Sequence, residues 1–233
     1  MDSTDYFELP HVIVHCAMSI DGRLTIARGV DPPVDWDITL YRDLRQRLGG
    51  DACMTGSGSI LVAKAPNPIE NLRPEIYKNP NREERIFIVF DSRGRVKWTG
   101  WQRDPWLKGL VVLFSQRTPP SYIEHLREEQ IPYIVSGEDH VDLRDALRQV
   151  KTRYKVTRIV CVGGGGMNGA LLQAGLVNEV SVVLVPFAVG RVSTPTLFDV
   201  SGLATPGDMV HLQLINCERI KQNFVWLRYR VVQ

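Results

Sequence analysis

The chain has 233 residues, 44% hydrophobic and 23% charged, close to the globular average, which excludes disorder and fibrous repeats. Lys and Arg number 28 against 26 Asp and Glu, a net charge of +2, so no cationic surplus exists for a phosphate backbone and no nucleic-acid partner is expected. Val180 to Val189 is interrupted by Ser181 and Pro186 and is too short to cross a bilayer, and Met1 to Asp5 lacks the basic and apolar regions of a secretion signal. A soluble cytoplasmic protein without membrane contact is expected.

In chain order, Val12 to Met18 reads as a buried strand that breaks at Ser19-Ile-Asp-Gly22, a polar turn. Ala27 to Asp37 reads as a loop. Thr39 is a helix N-cap candidate, followed by Leu40, Leu44 and Leu48 at helical spacing and stopped by Gly49-Gly50. Asp51 to Met54 reads as a second strand, and Gly56-Ser-Gly-Ser59 leads into a helix starting near Ile60. Ala65 to Arg85, rich in proline and charge, reads as an exposed excursion. Arg85–Phe90 and Leu110–Phe114 are continuous apolar runs, as in strands covered on both faces. Helical patterns follow at Pro120–Gln130 and Val141–Tyr154, with short strands at Ile131–Val135 and Arg158–Val162. Strand and helix alternate at short connections, which predicts an α/β fold with a mostly parallel twisted sheet flanked by helices. Val180–Val185, Met209–Asn216 and Phe224–Val232 then follow as strands, the last two without an intervening helix, and predict an antiparallel C-terminal edge. No linker separates two cores, so residues 1–233 read as a single domain.

The four cysteines form no C-x-x-C pair, and Cys16, Cys53 and Cys161 sit in apolar runs as small buried hydrophobes. His11 and His15 lie about 13 Å apart along a strand, too far for one metal. All five histidines read as structural or surface residues, and no metal site is expected.

Val160-Cys-Val-Gly-Gly-Gly-Gly-Met-Asn-Gly169 is the most informative stretch: a strand, four glycines and a helix. Glycines let backbone approach a ligand, and a helix N-terminus offers N–H groups to phosphate. Gly163, Gly164, Gly165, Gly166 and Met167 are therefore a candidate cofactor cradle, although a tight turn against a neighbouring strand is the alternative. Gly56 to Ser59 repeats the pattern after the second strand. Asp91-Ser-Arg-Gly-Arg95 is a third junction, where Ser92, Arg93 and Arg95 either grip a phosphate or form a solvated turn. Ser19, Asp21 and Arg23 end the first strand, as a simple turn or as groups that orient a polar substrate. Trp36 either stacks on a planar ring or anchors its loop.

Ser19-Ile-Asp-Gly-Arg23 resembles the S-L-D-G-R segment of riboflavin-pathway pyrimidine reductases, the RibD C-terminal-like family with the dihydrofolate reductase-like fold. Gly169-Ala-Leu-Leu-Gln-Ala-Gly-Leu-Val-Asn-Glu179 with Pro186 and Gly190 resembles their late block, Asp51-Ala-Cys-Met-Thr-Gly56 their D-A-I-L-x-G, and Phe90-Asp-Ser92 their V-D-S. The resemblance spans about residues 11 to 200. It implies NADPH as cofactor, a homodimer, and a phosphorylated substrate in which the ribose on a pyrimidine is opened and reduced. It implies cofactor contacts at Ala17, Trp36, Ser59, Ser92 and the Gly163–Gly166 turn, and a substrate-holding arginine at Arg47. Two positions depart from the pattern: the family's acidic residue before the late glycine turn aligns with Val162, and its D-x-P segment with Ala63-Lys-Ala-Pro66.

The expected activity is thus an NADPH-dependent reductase of a phosphoribosylamino-pyrimidine, with Asp21 orienting or protonating the substrate, Ser19 beside it and Arg47 as anion anchor. The alternatives are a dihydrofolate reductase-like reductase of a pteridine or other heterocycle, which Val162 permits, and a non-catalytic nucleotide-binding protein. Arg93 and Arg95 are expected to recognise the 2′-phosphate that distinguishes NADPH from NADH.

Overall fold

The computed structural model describes residues 8–24, 38–62, 86–99, 109–190, 192–200, 209–221 and 223–232, and among these the apolar runs become nine strands and five helices. The first half holds β1 (His11–Ser19), α1 (Ile38–Arg47), β2 (Ala52–Gly56), α2 (Ser57–Val62), β3 (Ile86–Phe90), β4 (Gly109–Phe114) and α3 (Pro120–Glu128). The second holds β5 (Tyr133–Val135), α4 (Leu143–Tyr154), β6 (Arg158–Cys161), α5 (Gly165–Gln173), β7 (Glu179–Val185), β8 (His211–Arg219) and β9 (Val225–Val232). These elements pack as two compact units. One takes the described residues of His11–Gly49 and Val160–Gln233, the other those of Phe7–Pro10 and Gly50–Ile159. The chain changes unit within β6, where no linker is visible in the sequence.

The unit around Gly50–Ile159 is a parallel sheet in the order β5-β4-β3-β2, with Thr55 opposite Val89, Val89 opposite Val112 and Leu113 opposite Ile134. Continuous burial of Ile88, Val89, Val111, Val112 and Leu113 accounts for the absence of apolar–polar alternation in β3 and β4. Pro120 opens α3 at a position where its missing N–H costs nothing, and Tyr122 and Leu126, one turn apart, are buried. Asp142 caps α4 by accepting from the Asp145 N–H, and Lys155 ends it in the left-handed conformation at φ 56°. Val89, Val96, Trp98, Leu110, Val112, Phe114, Tyr122, Leu126 and Ile131 form the core. Asp51 does not belong to β2: its carboxylate accepts from the Thr157 N–H at 2.9 Å, the Thr157 hydroxyl at 2.8 Å and the Arg158 N–H at 2.8 Å, and so holds the start of β6.

In the other unit β1 runs parallel to β7, which pairs antiparallel with β9, and β9 pairs antiparallel with β8. The antiparallel C-terminal edge expected from the sequence is present. Leu44 and Leu48 of the α1 stripe pack with Ile13, Ala17, Val160, Val183, Val185, Phe224 and Trp226. His15 lies fully buried within this unit and stacks on Tyr41, ring centroids 4.4 Å apart. The Trp226 indole N–H donates to Ser181 Oγ at 2.9 Å, leaving the Ser181 hydroxyl proton for His15 Nδ1 at 3.0 Å, while His15 Nε2–H donates to the Tyr41 carbonyl at 3.2 Å. Burial, with the nearby Arg45 charge, pushes the imidazole down to about 4.

Several boundaries differ from expectation for local reasons. α1 begins at Ile38, so Thr39 lies inside its first turn rather than capping it. α2 begins at Ser57, three residues before Ile60, so Gly58 and Ser59 are helical. β8 runs on to Arg219, with Leu212 44% and Leu214 52% exposed. Cys16 and Cys161 are buried as expected, but Cys53 is only half-buried and Cys217 is exposed.

Candidate active site

In the β1 unit, the turn after the strand is fastened by its own polar residues. Ser19, fully buried, donates its hydroxyl to Asp21 at 2.5 Å and accepts from the Arg23 N–H at 3.0 Å. Both Asp21 oxygens then reach a distant segment, accepting from the Val189 N–H at 3.0 Å and the Gly190 N–H at 2.8 Å. These donors, the Ser19 hydroxyl foremost, hold the Asp21 carboxyl far below the usual carboxylate range. It is an ionised acceptor, so of the two expected roles, orienting and protonating, the geometry favours orienting. Arg23 adds a guanidinium hydrogen bond to the Thr194 carbonyl at 3.0 Å.

The same segment continues to the glycine turn. Asp199 N–H donates to the Gly165 carbonyl at 3.0 Å, and the Asn168 side-chain amide donates to the Leu197 carbonyl at 3.1 Å. A Cβ on Gly165 would lie 2.4 Å from Asp199 Oδ2 and from the Thr196 carbonyl, and one on Gly169 would lie 2.6 Å from Val200. These two glycines are therefore demanded by the chain itself. None of Gly163 to Gly166 has positive φ, and Gly164 caps α5 in extended backbone at φ −79°. At Gly166 a Cβ would meet nothing within 4 Å, and the residue is exposed. Met167 is half-buried and packs beside Gly163. Ala17 is buried near the end of β1, and Val162 packs against the same apolar cluster where the family pattern has an acid.

Arg47 extends from the last residue of α1 to Glu218 of β8, with guanidinium contacts of 3.0 and 3.4 Å to the two carboxylate oxygens. Its guanidinium carbon also stands 4.5 Å over the Trp226 ring. No local pattern signals this arrangement, because Glu218 lies 171 positions away.

In the β2–β5 unit, the two expected junctions come together at the carboxyl ends of parallel strands β2 and β3. Ser57 is buried and accepts from the Arg95 guanidinium at 3.1 Å, while Ser59 is exposed and Gly56 half-buried. Ser92 is half-buried, and Arg93 and Arg95 are exposed. Asp91 turns inward beneath them, fully buried, and accepts from backbone N–H groups of Arg95 and Val96 and from the Tyr122 hydroxyl. Trp36 lies outside the described residues. Among the described residues, no three His, Cys, Asp or Glu side chains gather as a metal site, and no helix is long and apolar enough to cross a membrane.

Known proteins resemble this chain along most of its length. The chain is 28% identical over 212 residues to the 2,5-diamino-6-ribosylamino-4(3H)-pyrimidinone 5′-phosphate reductase of Methanothermobacter thermautotrophicus, covering 88% of this chain and 91% of that one. It is 26% identical to the enzyme of the same name from Aquifex aeolicus, covering 89% and 90%. Among solved structures, a pyrimidine reductase-like protein of Corynebacterium diphtheriae shares the fold at a TM-score of 0.72 and 17% identity, covering 98% of this chain and 94% of that one. Acinetobacter baumannii RibD shares it at 0.72 and 18% identity, and there this chain, 97% covered, spans 59% of the longer protein. The model of the RibD C-terminal domain matches residues 10–226, and the chain belongs to that family.

Proposed function

We propose that the chain is a riboflavin-pathway pyrimidine reductase that uses NADPH to reduce the ribose of a phosphorylated ribosylaminopyrimidine. The family match from residue 10 to residue 226 carries this reading, and relatives at similar length with that activity in their names support it. Residues 1–233 act as one reductase domain.

The residues present fit a phosphorylated dinucleotide. Arg93 and Arg95 are exposed beside Ser92, a donor set suited to a 2′-phosphate. Half-buried Gly56 and exposed Ser59 offer a polar junction after the neighbouring strand. Gly166 leaves open space in the first turn of a helix of nine residues, where backbone N–H groups suit an anion. With Ala17, Gly163, Gly164, Gly165, Met167 and Trp36, these are the proposed cofactor-binding residues. Bound NADPH would supply a hydride. The protein orients the acceptor: Asp21 and Ser19 fix the turn after β1, and Arg47 attracts the substrate phosphate when it exchanges Glu218 for it. The apolar environment of Val162 leaves that side of the substrate without an acidic contact. The proposed homodimer would cover β8, where Leu212 and Leu214 are exposed and which pairs with no strand other than β9 among the described residues.

The direct test is NADPH oxidation by the purified chain with 2,5-diamino-6-ribosylamino-4(3H)-pyrimidinone 5′-phosphate, with the ribityl product identified by mass spectrometry. Turnover is expected. Absence of turnover with this compound, alongside turnover of a pteridine, would overturn the reading. Sedimentation should show a dimer that Leu212→Glu with Leu214→Glu dissociates; a stable wild-type monomer would contradict the assembly.

A further inference from the structure

We infer that Asp91 is the positioning residue for cofactor selection: from beneath the turn it fixes the backbone that displays Ser92, Arg93 and Arg95, without itself touching the ligand. The inference rests on the proposed reading of that turn as the 2′-phosphate site.

Asp91 stands at the end of β3 with none of its surface exposed. Its Oδ2 accepts three hydrogen bonds, from the Arg95 N–H at 2.8 Å, the Val96 N–H at 2.9 Å and the Tyr122 hydroxyl at 2.9 Å. Its Oδ1 is buried without a partner. A buried carboxylate with one unsatisfied oxygen is a poor device for stability, since apolar residues would fill this core at less cost. What it does achieve is to draw two successive N–H groups of the turn to one point. The phenol that meets it is itself aligned, because the Trp98 indole N–H donates to the Tyr122 oxygen at 2.9 Å. Tyr122 also presses against the turn, as a Cβ on Gly94 would lie 2.7 Å from its ring, and Gly94 adopts φ +58°. The Thr118 hydroxyl ties down the Ser92 carbonyl at 2.9 Å. The turn is thereby held on both sides of Arg93, and the Arg95 guanidinium is directed to Ser57 of the adjoining junction. Two exposed cations are mounted on a rigid buried base, the condition under which charged groups discriminate ligands rather than merely attract them.

The test is titration of the purified full chain with NADPH and with NADH, without substrate, reading the two dissociation constants. Arg93→Ala with Arg95→Ala is the reference and should raise the NADPH constant about tenfold more than the NADH constant. Asp91→Ala should reproduce most of that loss of preference, about fivefold or more, whereas Asp91→Asn, which keeps an acceptor for both N–H groups, should retain it. Tyr122→Phe, which removes one donor and leaves the ring, should narrow the preference about threefold and is the deciding variant if Asp91→Ala does not fold. General loosening of the structure would weaken both cofactors alike. If the arginine pair sets the preference but neither Asp91→Ala nor Tyr122→Phe alters the ratio, the positioning role is overturned and the cofactor reading stands. If the arginine pair itself leaves the ratio unchanged, the reading of the turn fails first, and the inference with it.

Discussion

The turn after β1 and the turn after β3 each hold a polar loop at the end of a buried strand, and each relies on one aspartate, used in opposite ways. Asp21 is exposed and reaches outward, clasping the backbone N–H groups of Val189 and Gly190, which lie 168 and 169 positions away. Asp91 is buried and reaches inward, so that the loop's own N–H groups and the Tyr122 hydroxyl converge on it. The first turn is only as fixed as the segment it grips, which also packs on Gly165 and Gly169. The second is fixed by a core. Such a difference suits the proposed roles, a substrate-facing turn that adjusts and a cofactor-facing turn that does not.

Acid should strain the foundation of the first turn most. His15 is held neutral by burial, with its folded value near 4 against 6.5 when free. Between those values the unfolded chain binds a proton that the folded chain does not, so stability is intact above pH 6.5 and declines as pH falls toward 4. The loss expected is on the order of 3 kcal/mol, and His15→Phe should flatten the profile measured by denaturant unfolding. An identical slope in the variant would contradict the buried-neutral assignment. Glu179 extends the same sign to lower pH, its carboxyl lowered to about 2 first by the His11 hydrogen bond and then by Arg228.

Next in size is the contrast within the glycine turn. Gly165→Ala drives a Cβ into the Thr196 carbonyl and the Asp199 carboxylate, and overpacking of that kind costs about 1–3 kcal/mol. Gly166→Ala meets no protein atom, so stability should hold while NADPH affinity falls. Equal stability for both variants would mean that the 196–200 segment does not press on the turn.

Asp21→Asn weakens two backbone contacts made by a carboxylate, and kcat/KM should fall about tenfold. Because the wild-type carboxyl is held ionised, that loss should be uniform from pH 5 to pH 8. An acidic limb in the wild-type profile that disappears in Asp21→Asn would restore the proton-donor role. The smallest structural effect is expected at Glu218→Gln, since an exposed ion pair contributes about 0–1 kcal/mol. The phosphorylated substrate should then bind more tightly, as Arg47 no longer has a competing carboxylate; a higher KM would show that Glu218 orients Arg47 instead.

Much of this was legible in the sequence because it is local. Buried parallel strands announce themselves as runs such as Ile86–Phe90 and Gly109–Phe114, and Gly-rich junctions mark their ends. What was not legible depends on contacts over long separations. Asp91 beside two arginines reads as paired with them or turned away, and no local pattern shows that it turns inward to a tyrosine 31 positions later. Gly165 and Gly169 are required by Thr196, Asp199 and Val200, which no local pattern links to them. The start of α2 at Ser57 defeats propensity, since Gly58 and Ser59 are weak helix formers.

The division of labour between the two turns can be measured in one experiment, the ratio of NADPH to NADH dissociation constants in the wild type, in Asp21→Asn and in Arg93→Ala with Arg95→Ala. The account predicts that the arginine pair narrows the ratio about tenfold or more and that Asp21→Asn leaves it unchanged. A ratio that moves with Asp21 and not with the arginines would contradict it.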